Sequence, residues 1–289
     1  AQHKDGKNAR QVVRWLEDKD YGNKPFFIAL GLQKPHVPFL APDQYFDLYP
    51  FNKISYKSDR PNLWDFLPQS ALSKRYEAFG FEFAKENEAL RKEYIQAYHA
   101  CVSFIDAQLG LVMDSLKKQG LWEDTVIVFT SDHGYHLGDH FIWGKVTLFD
   151  IGAKVPFIVR APGLSKSGTT SEAMVELIDI YPTLADLAGL KAPIHLQGSS
   201  LRPLLGHPER LGKKKYSYSV VTRGPKNLGY ALRNQNWRSG KWPDGEELYN
   251  LRSYPQEKNN LAQKDHLKQR LVEFRKRLAE KQQNIEKSK

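Results

Sequence analysis

The sequence predicts an α/β sheet core followed by a smaller α+β subdomain, and three observations carry that prediction. Continuous apolar runs, which read as buried strands, alternate with stretches of helical spacing through the first two thirds of the chain. From about Lys191 the pattern changes to short alternating segments, as in a small antiparallel sheet. A basic amphipathic helix then closes the chain. Strands interleaved with helices, followed by clustered short strands, place a core over residues 1–190 and a subdomain over 191–289.

Each element has its own justification. Asn8 to Asp18 carries Val12, Val13 and Leu16 at helical spacing. "KPFFIALGL" (Lys24 to Leu32) is a continuous apolar run after "YGN", and so a buried strand. It ends in "QKPHVPF", where Pro35 and Pro38 impose a rigid extended loop that holds Lys34 and His36 at the strand's carboxyl end. Ala41 to Gly80 is a long connection rich in Pro and aromatic residues, of a kind that is packed and shapes a pocket. Glu86 to Lys118 reads as a helical region in two pieces, stopped by Gly120. "TVIVFT" and "VPFIVRAP" (Val155 to Pro162) are further strands. "SEAMVELIDIYPTLADLAGL" is a helix with Ser171 as N-cap and Gly189 as stop. In the subdomain, "KKYSYSVVT", "GYALRNQN" and "EELYNL" are the short strands, and about Lys264 to Lys281 is the closing helix.

Composition narrows the function classes. The 289 residues are 40% hydrophobic and 26% charged, as in an ordinary globular protein. No apolar run approaches the roughly 20 residues of a membrane-spanning helix. The formal net charge of +10 favours anionic partners. No nucleic-acid-binding motif accompanies it, so the basic block "GKKKY" (Gly212 to Tyr216) reads as solvated surface. A single cysteine, Cys101, excludes an intrachain disulfide and a cysteine metal site. It lies in an apolar helical pattern and reads as a packing residue. The opening "AQHKDGKNARQVVRWLED" is neither a signal nor a transit peptide.

The chemistry concentrates in "VIVFTSDHGYHLGDHFIWGK", Val126 to Lys145. In open α/β sheets, ligands bind at the carboxyl ends of strands. Here a strand ends in Asp132 and His133, whose carboxylate oxygen and imidazole nitrogen can share one cation. Gly134 lets the backbone turn away. The alternative is that Asp132 caps the next helix and His133 is a surface residue. His136, Asp139 and His140 could extend the site, and Lys145, beside Trp143 and Gly144, could reach an oxyanion.

Five blocks carry a resemblance. They are "KPFFIALGLQKPHVPF", the stretch from "YIQAYHACVSF" to "WGKVTLFD", "VPFIVRAPG", "VELIDIYPTLADLAGL" and "GEELYNLRSYPQEKNNLA". In this order the chain resembles the formylglycine-dependent sulfatases, in their iduronate-2-sulfatase-like branch. The resemblance implies an alkaline-phosphatase-like mixed sheet with flanking helices, incomplete on its N-terminal side here, and hydrolysis of sulfate esters of a glycosaminoglycan or other sulfated glycan at a calcium ion. It implies metal-ligand roles for Asp132 and His133, a general-acid role for His36 and a sulfate contact for Lys145. Lys34, His36, His136 and Lys145 form the candidate substrate-binding set. Export to a periplasmic, extracellular or lysosomal space is what such a family leads one to expect.

The sequence departs from the pattern in its nucleophile. Neither Cys-x-Pro-x-Arg, the source of formylglycine, nor its serine version occurs, and the family's acidic pair of metal ligands has no counterpart. The expectation is therefore the C-terminal portion of a sulfatase, with the remaining calcium ligands outside this chain, no turnover alone, and association through an exposed sheet edge. Two alternatives stay open: a non-catalytic remnant that binds anionic glycans, and a phosphatase or phosphodiesterase of the same superfamily.

Overall fold

A computed structural model describes residues 3–19, 21–22, 24–56, 59, 61–72, 87–224 and 227–287. The chain divides into two compact units, Ala1–Lys57 with Ala78–Thr125, and Ser58–Glu77 with Val126–Lys289.

The first unit is helical. Helix α1 (Lys4–Asp18) buries Asp5, Gly6, Ala9, Val12 and Leu16 along one stripe, the i, i+3, i+4 spacing of an amphipathic helix. A four-residue helix α2 (Asp43–Phe46) follows. Helix α3 (Glu88–Lys118) is capped by Asn87, whose side chain accepts from Leu90 N. It runs unbroken for 31 residues rather than in two pieces; Gly110 sits within it with open space around its Cα. Gly120, at φ +71°, ends it, with Leu121 N bonded to Leu116 O at 2.9 Å. α1 packs on α3, where His3 meets Phe104 edge-on at 4.7 Å. The expected helix start at Glu86 and residues 73–80 of the long connection lie outside the described residues.

"KPFFIALGL" departs from expectation. Residues 24–32 form no regular element; their burial alternates with period two, but they join no ladder among the described residues. A strand needs a partner for its N–H and C=O groups, and Phe27 stands 79% exposed.

The second unit holds two antiparallel sheets. Strand β1 (Ile127–Thr130) is followed by the short helix α4 (Asp150–Ala153) and strand β2 (Phe157–Arg160). β1 and β2 pair from Ile127 opposite Arg160 to Thr130 opposite Phe157. Helix α5 (Ile180–Leu187) begins later than expected. Its entry, the 3₁₀ turn Leu177–Asp179, is fixed by a reciprocal capping box between Glu176 and Asp179. Ser171 instead accepts from Ala173 N in the preceding coil, at 3.3 Å. A short helix α6 (Arg202–Gly206) leads on to a meander of β3 (Ser217–Thr222), β4 (Leu228–Arg233), β5 (Trp237–Trp242) and β6 (Gly245–Asn250). β5 was not among the expected strands. Helix α7 (Lys268–Lys287) lays Leu271, Phe274 and Leu278 against Leu232 and Leu248 of this sheet. The long connection is packed as expected: Trp64, Leu67 and Leu72 join a core with Ile142, Phe149, Tyr249 and Leu251. Among the described residues no helix is long and apolar enough to cross a membrane.

Candidate active site

The candidate residues fall in both units, Lys34 and His36 in the first and Asp132, His133, His136 and Lys145 in the second.

Residues 33–38 form a tight loop after that apolar segment. The Lys34–Pro35 and Val37–Pro38 bonds are both cis. Lys34 is 93% buried, and its ammonium donates to the carbonyls of His36 (3.0 Å) and Pro38 (2.5 Å). The side chain expected to contact substrate is therefore engaged with its own loop. His36 is exposed. Its Nδ1–H donates to the Val37 carbonyl at 2.6 Å. A carbonyl can only accept, so the neutral ring carries its proton on Nδ1 and presents Nε2 as the available nitrogen. Sequence reasoning missed Asp5, whose carboxylate holds this loop from 28 residues away, because no local pattern links the two.

The second unit places Asp132 and His133 together at the end of β1. Asp132 Oδ1 accepts from His133 N at 3.0 Å. The His133 ring donates from Nδ1 to the Gly134 carbonyl at 2.8 Å, which leaves Nε2 with a lone pair 3.5 Å from Asp132 Oδ2. Neither atom can satisfy the other while the ring is neutral; a cation can satisfy both. The backbone bond that sets the tautomer is the usual support of a metal-bound histidine. The donor pair thus fits a divalent cation, with Asp132 85% exposed and able to reach it. Among the described residues no cluster of three such ligands occurs.

Gly134 is required by close approach. A Cβ there would lie 1.9 Å from the Ile151 carbonyl oxygen, and Gly134 N donates to Gly152 O at 2.9 Å. The turn after the candidate ligands is thereby pressed against α4.

His136 was expected to touch substrate and is instead fully buried. Its Nδ1–H donates to the Asp139 carbonyl (3.0 Å), and its Nε2 accepts from the Thr147 hydroxyl (2.7 Å). Both ring nitrogens are used inside the loop. Burial, together with neighbouring His140, pushes its pKa down to about 3, so the ring is neutral. His140 is also buried, stacked on Phe149 at 3.8 Å. Its pKa is lowered chiefly by burial, and it donates from Nε2 to the Glu257 carbonyl at 3.3 Å. The exposed Asp139 opens a 3₁₀ turn whose N-cap is Gly138. The backbones of His136 and Gly144 exchange bonds of 2.8 and 3.2 Å, which places the half-buried Lys145 directly after a rigid bridge.

Behind this loop lies a buried ionic cluster that the sequence did not announce. Arg238 on β5 pairs with Glu257 and lies 3.5 Å from Glu247, all three almost fully buried. Its guanidinium lies over Tyr249 and Phe149, at 4.7 and 5.0 Å from the ring centroids. Burial alone would lower the Arg238 pKa; the two carboxylates override it and hold the group charged. Glu257 Oε2 also accepts from Asp150 N at 2.6 Å, at the start of α4. The C-terminal sheet thus anchors the segment that follows Lys145.

Cys101 is fully buried, and burial pushes its thiol up to about 11. It is a packing residue and no nucleophile at neutral pH.

Residues 1–190 match the family model described as "Sulfatase". The chain belongs to the sulfatase family. Residues 138–284 of this sulfatase chain also match the model "N-sulphoglucosamine sulphohydrolase, C-terminal". It is 38% identical over 258 residues to a "Sulfatase" of Formosa agariphila, covering 87% of this chain and 49% of that protein. It is 32% identical over 223 residues to mouse "Iduronate 2-sulfatase", covering 65% and 40%. The chain thus spans about half the length of the curated relatives it matches. A structure described as a complex with its substrate D-glucosamine-2-N,6-O-disulfate superposes at TM-score 0.83 with 23% identity, covering 97% of this chain and 69% of that one. The phosphonate monoester hydrolase of Silicibacter pomeroyi superposes equally, at TM-score 0.83, with 25% identity and coverage of 96% and 60%. These likenesses agree with the alkaline-phosphatase-like α/β class read from the sequence.

Proposed function

We propose that these residues serve the hydrolysis of a sulfate ester on a sulfated glycan, supplying part of a cation seat, a leaving-group acid and a sulfate contact. The observation that carries this reading is the pair Asp132 Oδ2 and His133 Nε2, 3.5 Å apart with the ring's other nitrogen already committed. Asp132 and His133 would hold a divalent cation, calcium on the family pattern, which when bound neutralises sulfate charge. The Lys145 ammonium takes a sulfate oxygen and stabilises the charge that develops there. His36, protonated, donates from Nε2 to the departing alkoxide, since its Nδ1–H is held by Val37. Lys34 keeps that loop in shape. None of the 289 residues stands in a Cys-x-Pro-x-Arg motif, so the covalent step has no nucleophile here. The glycan reading draws on the sulfohydrolase family model and on the disulfated glucosamine bound by the structural neighbour.

The similarity to the phosphonate monoester hydrolase favours a second reading, in which the tetrahedral anion is a phosphonate or phosphate ester. One titration separates them. With calcium present, a glucosamine sulfate should shift the His133, His36 and Lys145 resonances at lower concentration than a phosphonate monoester does. The uncharged sugar should shift none, and the chain should turn over no aryl sulfate above the no-enzyme control. Equal response to charged and uncharged sugar would sink both readings.

Among the described residues β2 pairs with β1 alone, and Ile158 on it is 60% exposed, which supports association through an open strand edge. A clean monomer on size-exclusion chromatography would refute it.

A further inference from the structure

Asp5 takes no direct part in the proposed chemistry, yet it is fully buried. A buried carboxylate is costly unless its oxygens are satisfied. Asp5 Oδ1 accepts from Gln33 N at 2.8 Å, and Oδ2 from Lys34 N at 2.9 Å. The oxygens are thus spent on the backbone entering the His36 loop. The backbone leaving that loop is held by Lys34, through the carbonyls of His36 and Pro38. Between these two ties the loop has few bonds of its own. Pro35 and Pro38 have no N–H, and the turn is closed by His36 N donating to Gln33 O at 3.0 Å. Asn8, one turn along α1, adds a bond from its side chain to Gly31 O at 2.9 Å.

The consequence falls on one ring. His36 Nδ1 can donate to Val37 O only while residues 36 and 37 keep their present backbone. We propose that Asp5 and Lys34 are positioning residues that fix the rotamer and the Nδ1–H tautomer of His36, so that Nε2 is the nitrogen offered to a leaving group. The catalytic consequence rests on His36 being the leaving-group acid; the geometry does not. Asp5 acts through Lys34 and the loop backbone and touches no substrate. The device crosses from helix to loop, so a substitution in α1 reaches a ring that it does not contact.

The test is ¹⁵N NMR of the His36 ring in the 289-residue chain, with amide exchange at Gln33 and Lys34. The wild-type ring should be the Nδ1–H form, with both amides protected. Asp5→Asn keeps the shape but replaces one acceptor by an NH₂ donor. It should speed exchange at one of the two amides about tenfold or more and convert the ring to a mixture of tautomers. Lys34→Met removes both carbonyl contacts and should do the same to the ring. Val12→Ala trims a buried apolar residue of α1 seven positions from Asp5 and should leave the ring signature unchanged. A wild-type ring found mainly as Nε2–H overturns the proposal, whatever the variants do. So does a wild-type ring signature in either folded variant. If neither variant folds, the wild-type tautomer decides. The acid role is read separately: if His36→Ala responds to the sulfated sugar as wild type does, that role fails and the positioning stands.

Discussion

Asp132 Oδ2 and His133 Nε2 lie 3.5 Å apart, on adjacent residues, with the other imidazole nitrogen bonded to Gly134 O. Two acceptors this close repel each other unless a proton or a cation lies between them. Calcium takes 6–8 oxygen ligands as a rule, so a seat with two protein ligands binds weakly. The expected outcome is that calcium titration of the chain shifts the resonances of residues 131–134 first, with weak affinity. Asp132→Ala should lower that affinity by at least about tenfold. A uniform response at carboxylates throughout the chain would show that no seat exists.

The turn behind that pair admits no side chain. Gly134→Ala must displace either its own backbone or the Ile151 carbonyl, which stands 1.9 Å from the new methyl. Overpacking of this kind costs about 1–3 kcal/mol, and the obstacle here is backbone rather than a flexible side chain. Urea unfolding should show the loss, and the same variant should weaken calcium binding. Gly31→Ala, with nothing within 4 Å of its Cα substituent, is the neutral control.

The sequence made some of this legible and not the rest, for physical reasons. Asp132 and His133 were readable because adjacent residues at a strand's end share a location by covalent geometry. The stops at Gly120 and Gly189 were readable because each takes a positive φ, +71° and +69°. His136 was misread because its partners, Asp139 O and Thr147 Oγ1, are brought to it by the fold of the loop. β5 was missed because two of its three buried residues are Arg238 and Gly240, which look like loop until Glu247 and Glu257 are placed around them; only Trp242 is apolar. Gly240 is needed there, since a Cβ would meet Glu247 Oε2 at 2.6 Å. "KPFFIALGL" shows the opposite limit. Its apolar run reads as a strand, but a ladder requires a neighbour that its own sequence does not specify.

Acid should expose the buried histidines. His136 is held neutral in the fold, with its pKa depressed to about 3 from the ordinary 6.5. The unfolded chain therefore takes up a proton that the folded chain refuses. Stability from this group is fully present above about pH 6.5 and falls as pH drops toward 3, at up to about 1.4 kcal/mol per pH unit. His140, also lowered, adds in the same direction. Unfolding midpoints measured from pH 7 to pH 4 should fall more steeply in wild type than in His136→Gln. Parallel slopes would mean that His136 is solvated or already charged.

The buried and exposed ion pairs of the C-terminal sheet should differ sharply in what their loss does. Glu257 is 2% exposed and holds Arg238, Asp150 N and, through its own carbonyl, the His140 ring. Removing one partner of a buried pair costs about 3–5 kcal/mol, and here it leaves the buried Arg238 with Glu247 alone, at 3.5 Å. Glu257→Ala should therefore cost that much in urea unfolding. It should also speed amide exchange at Asp150 and Gly134, because α4 loses the carboxylate at its first N–H while Gly134 leans on Gly152 of the same helix. Arg275 pairs with Glu246 at the surface, with its side chain 51% exposed. Such pairs contribute about 0–1 kcal/mol, so Arg275→Ala should be nearly silent. Glu257→Gln keeps the volume and one acceptor oxygen for Asp150 N, and so should lose stability but recover much of the exchange protection. That difference separates the charge from the anchor. Equal costs for the Glu257 and Arg275 alanine variants, or unchanged exchange at Gly134, would show that the cluster does not hold the loop between the candidate metal ligands and Lys145.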